Sequence, residues 1–71
     1  MNESTCLNIV DKWIKSTKDR QIKKQFLTLK DFIMDDLEYT HRADSMLKMV
    51  EFLDSLDQNK EVIIVRNYIN L

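Results

Sequence analysis

Glycine and proline are both missing from this chain of 71 residues, where average usage would supply about eight or nine of them. Glycine provides the positive φ of tight turns, and proline fixes rigid ones. β-Hairpins need that chemistry at each reversal, whereas helices joined by short polar turns need little of it. The double absence points to an all-α fold. Cysteine is nearly absent too: Cys6 stands alone, so no disulfide forms within the chain, and a reducing, cytoplasmic setting is expected. Long apolar runs are lacking, and none approaches the roughly 18 residues that span a bilayer. The opening Met1-Asn2-Glu3-Ser4-Thr5 has neither the cationic stretch nor the apolar core of a signal peptide, so no membrane partner is expected. Without glycine there is no glycine-rich phosphate loop. No local cysteine–histidine or serine–histidine pattern appears either, and enzymatic activity is not expected.

What is present is a dense alternation of apolar and charged residues. Hydrophobic residues make up 44% and charged residues 32%, a balance that argues against disorder and for a single helical domain over residues 1–71. The formal net charge of −1 conceals an asymmetry. Residues 11–31 hold seven Lys/Arg against three Asp, and residues 32–57 hold seven Asp/Glu against two Lys/Arg. Such a division orients antiparallel packing inside a bundle or head-to-tail contact between chains; a solvated surface is the plainer reading.

On a helical wheel of 100° per residue the chain divides into four helical segments. The first runs from Cys6 to Thr17, with Ser4 or Thr5 as its cap. It gathers Cys6, Ile9, Val10, Trp13 and Ile14 on one face. The second runs from Arg20 to Tyr39 behind a cap at Asp19, with Ile22, Phe26, Leu29, Ile33 and Leu37 in one stripe. Leu27 and Met34 form a second strip, and Phe32 and Tyr39 a third. The third segment runs from Arg42 to Leu56, with Thr40 as a possible cap. Ala43, Met46, Leu47, Val50 and Leu53 form its expected core face, widened by Met49 and Leu56, with Phe52 further round. The fourth follows Asp57-Gln58-Asn59, with Asn59 as cap. Its β-branched run Val62-Ile63-Ile64-Val65 would also suit a strand, but such a strand would have no partner in this chain, so a helix is expected.

These faces carry more apolar surface than a two-helix hairpin buries. A three- or four-helix bundle, completed by self-association, is the expected architecture. The surplus apolar residues Leu27, Phe32, Met34, Tyr39, Met49 and Phe52 are therefore candidate protein-binding residues. They suggest an interaction module, such as a homodimeric regulator or inhibitor acting on a larger partner. The alternative is a DNA-associated transcriptional regulator that uses the basic segment 12–30, with Lys15, Lys18, Arg20, Lys23 and Lys24 as phosphate contacts.

Two other patterns are present. Glu38-x-x-His41 has the spacing of di-iron bundle ligands, but it is short enough to arise by chance. No metal or cofactor is expected. The stretch Phe52-Leu53-Asp54-Ser55-Leu56-Asp57-Gln58-Asn59-Lys60-Glu61-Val62-Ile63-Ile64-Val65-Arg66-Asn67-Tyr68-Ile69 resembles the opening of a sigma-factor-type helix-turn-helix. The resemblance lies in a leucine-rich helix, an acidic turn, then Lys-Glu-Val-Ile, an apolar pair, Arg and an aromatic. It covers residues 52–69, and the sequence stops at Leu71, where the turn and DNA-reading helix of such a motif would begin. Base readout of that type is not expected.

Overall fold

The computed structural model describes residues 3–34 and 42–70, and four α-helices account for most of them: α1 (Glu3–Ser16), α2 (Arg20–Ile33), α3 (Arg42–Asp54) and α4 (Lys60–Ile69). α1 packs against α2 and α4, and α3 packs against α4 and α2, so the helices close a circuit around one core. The all-α bundle expected from composition is the architecture observed.

Polar side chains end the helices where glycine would ordinarily do so. At the end of α1, the backbone N–H and the hydroxyl of Thr17 both donate to the Trp13 carbonyl, at 3.0 and 2.6 Å. At the end of α3, the Ser55 hydroxyl donates to the Phe52 carbonyl at 2.6 Å. The Gln58 amide donates to the carbonyls of Leu53 and Leu56, at 3.0 and 2.7 Å. These donors occupy carbonyls that have no partner within the helix. The next helix then starts on a side-chain cap. Asp19 accepts from the N–H groups of Gln21 and Ile22, and Asn59 accepts from that of Val62. Both caps were legible in the sequence. The α1 cap was not: the helix begins at Glu3, so Ser4 and Thr5 lie in its first turn, where the negative charge of Glu3 complements the positive end of the helix dipole.

α2 ends at Ile33, short of the expected Tyr39, with Met34 as its C-cap. The sequence continues Asp35-Asp36, and carboxylates disfavour further helix at a C-terminal end. Residues 35–41, including the proposed cap Thr40 and the Glu38/His41 pair, lie outside the described residues. The β-branched run of α4 is helical because Val62, Val65 and Ile69, spaced three and four apart, are all buried. That burial outweighs the small helix propensity deficit of valine and isoleucine.

The core takes Cys6, Ile9 and Val10 from α1 and Phe26, Leu29, Phe32 and Ile33 from α2. α3 adds Met49 and Leu53, and α4 adds its three-residue stripe. Trp13, Phe26 and Phe52 make an aromatic chain with successive ring centroids 5.3 Å apart, the second contact edge-to-face. No polar or charged side chain among the described residues is buried.

Two expectations about the core are corrected. Phe32 and Met49 are not surplus to it: they are 2% and 8% exposed. A closed circuit of helices surrounds more of α2 and α3 than the hairpin from which the surplus was reckoned. Leu47, assigned to the core face of α3, is 58% exposed. The inward arc of α3 carries Met49 and Leu53, flanked by Met46, Val50 and Phe52, a turn of roughly 80° from the expected face, and Leu56 packs on the core just beyond the helix end. Seating Phe52 on Phe26 and burying Met49 hides more apolar area than burying Leu47 would.

Candidate interaction surface

The outward side of α2 is as distinct as its inward side. Leu27 and Met34 are 46% and 45% exposed and lie seven residues apart on one strip. Arg20, Lys23, Lys24 and Asp31, all exposed, share with them an arc of roughly 100°. The strip is thus apolar in the middle and mainly basic at its border.

α3 presents the converse. Leu47 is central, and Asp44, Glu51 and Asp54 share with it an arc of roughly 80°. Asp54 also accepts a 2.5 Å ion pair from Arg66 of α4. Lys48, exposed, stands at the edge of this arc. On α4, Ile63 is 46% exposed.

Of the six residues expected to bind protein, Leu27 and Met34 are placed at the surface together. Phe32 and Met49 are in the core, Phe52 is half-buried against Phe26, and Tyr39 lies outside the described residues. Leu47 and Ile63 were missed. Ile63 did carry a signal, since it lies off the stripe of Val62, Val65 and Ile69. Leu47 carried none, because α3 has apolar residues on most sides.

The basic segment divides by role. Lys12 pairs with Glu61 of α4, and Lys30 pairs with Asp11 of α1 at 2.8 Å, so both ends of the segment tie helices together. Lys15, Lys18, Arg20, Lys23 and Lys24 are exposed at the α1–α2 corner, and among the described residues none of them makes an ion pair. Asp19, the acid within this run, is engaged as the α2 cap. Trp13 is half-buried against Phe26 rather than offered to a ligand.

Other chemistry is sparse. Cys6 is fully buried, and burial pushes its thiol above the ordinary range, which disfavours the reactive thiolate. Among the described residues no three His, Cys, Asp or Glu side chains are grouped to hold a metal ion. No described helix is long and apolar enough to cross a membrane. No family model, curated protein or solved structure matches this chain.

Proposed function

We propose that this chain is a small protein–protein interaction module, a non-enzymatic regulator or inhibitor that acts by seating its outward helix faces on a larger partner. The observation that carries the reading is the apolar strip of Leu27 and Met34 on α2, bordered by Arg20, Lys23 and Lys24. A single exposed leucine is ordinary on any protein. A strip of two, one turn beyond a pair of lysines, has the anatomy of an interface: an apolar centre for affinity and a charged rim for orientation and encounter rate. The test is cross-linked purification from the source cells, followed by titration with the purified partner. Leu27→Asp is expected to weaken binding at least tenfold while far-ultraviolet circular dichroism keeps the wild-type helix content. Equal affinity for wild type, Leu27→Asp and Leu47→Asp would contradict the reading.

The second reading, a DNA-associated regulator, is favoured by the five exposed cations at the α1–α2 corner, none of which makes an ion pair among the described residues. It requires duplex binding that weakens steeply with salt, with a slope that falls by about 2 when Lys23 and Lys24 are removed. No binding at low salt would eliminate it.

A further inference from the structure

The α2 and α3 strips complement one another, and we infer that the partner seated on them is a second copy of this chain, with α2 of one protomer against α3 of the other. The inference rests on the interaction-module reading and replaces its larger partner, on these two strips, with a second copy.

Charge and spacing carry the argument. Lys23 and Lys24 precede Leu27 by about one helical turn, and Asp44 and Glu51 stand about one turn to either side of Leu47. With Leu27 set against Leu47, the lysines therefore meet Glu51 in antiparallel packing and Asp44 in parallel packing. Both directions satisfy them. Like-with-like pairing opposes strips of the same net sign: α3 on α3 brings the acids together in either direction, and α2 on α2 sets two mainly basic strips together, with Asp31 alone to offset the lysines when the helices run antiparallel. Because α2 and α3 are neighbours in the fold, a two-fold axis makes the contact twice, α2 on the partner's α3 and α3 on the partner's α2. Lys23, Lys24, Asp44 and Glu51 are all exposed, and among the described residues none of the four is in an ion pair, so their charges are available.

A charge exchange tests this, read by sedimentation velocity at low ionic strength. Wild type is expected to sediment as a dimer. Lys23→Glu with Lys24→Glu makes both strips acidic, and Asp44→Lys with Glu51→Lys makes both basic. Each variant alone is expected to dissociate at least tenfold more readily. Mixed one to one, the two are expected to recover the dimer, because both contacts of the two-fold pair are then between opposite charges. A monomeric wild type, unchanged association of either variant, or a mixture that stays monomeric would overturn the inference. Should a charge-reversed chain lose its helicity, the milder Lys23→Gln with Lys24→Gln and Asp44→Asn with Glu51→Gln serve in its place. Each must weaken wild-type association and flatten its dependence on salt, and an unchanged salt dependence overturns the inference. A monomeric wild type that still holds a larger partner through Leu27 would sink the self-pairing and leave the interaction module standing.

Discussion

Helices α2 and α3 are neighbours of almost equal length, 14 and 13 residues, yet they are held in the bundle differently. α2 buries four side chains, Phe26, Leu29, Phe32 and Ile33, and its outward side is mainly basic. α3 buries two among its described residues, Met49 and Leu53, and surrounds them with half-buried ones; its outward side is mainly acidic. The contrast shows two ways to make a face. α2 gathers its buried side chains on one arc and keeps its charges on the other, so its own pattern marks its inward side. α3 is apolar on most sides, so its neighbours choose the inward side for it.

The largest break in this contrast comes from the core. Phe32→Ala is expected to cost about 3–5 kcal/mol in chemical denaturation, because it removes a ring from a site 2% exposed. In a chain of this size that is a large part of the total stability. Leu27→Ala, five residues away on the opposite face, is expected to change monomer stability by no more than about 0.5 kcal/mol. Equal losses would erase the distinction between the two sides of α2.

Hydrogen exchange sharpens the comparison further. Amides of α3 are expected to exchange faster than those of α2, since fewer fully buried side chains oppose local opening. Equal protection of the two helices would mean that the half-buried ring of Met46, Val50, Phe52 and Leu56 seats α3 as firmly as the stripe seats α2.

Caps give a smaller effect. Asp19→Ala is expected to destabilise the chain by about 1 kcal/mol by freeing the N–H groups of Gln21 and Ile22. No loss would show that water replaces the cap at no cost.

The slightest effect concerns the dryness of the core that α2 shares with α1. Burial raises the Cys6 thiol in the folded chain, so the unfolded chain loses its proton first. Stability from this group is complete below the ordinary thiol range and declines as pH rises through the raised value. A Cys6→Ala variant is expected to lack that alkaline decline. A thiol reagent is expected to modify Cys6 only as fast as the core opens, and rapid modification of the folded chain would show the core to be wet.

The parts of this molecule that were legible in sequence are those set by local chemistry. The missing glycine and proline implied helices, Asp19 and Asn59 marked helix starts, and the stripe Ile22, Phe26, Leu29, Ile33 marked the inward side of α2. The orientation of α3 was not legible, because Leu47 and Met49 are equally apolar and only the approach of Phe26 to Phe52 decides between them. The candidate surface was legible where a helix is cleanly divided, as at Leu27 and Met34. It was obscured where burial depends on a third or fourth helix, as at Phe32 and Met49. Ion pairs between distant positions, such as Lys12 with Glu61, have no local signal at all.

The most direct test is the thermal midpoint of wild type and Leu27→Asp, followed by circular dichroism across a hundredfold range of protein concentration. Association coupled to folding makes a midpoint rise with concentration. The wild-type midpoint is expected to rise, and that of Leu27→Asp is expected to stay flat at the dilute wild-type value. A flat wild-type midpoint with no partner present would contradict self-association. A Leu27→Asp midpoint far below the dilute wild-type value would contradict the central claim, by showing that Leu27 holds the fold rather than a partner.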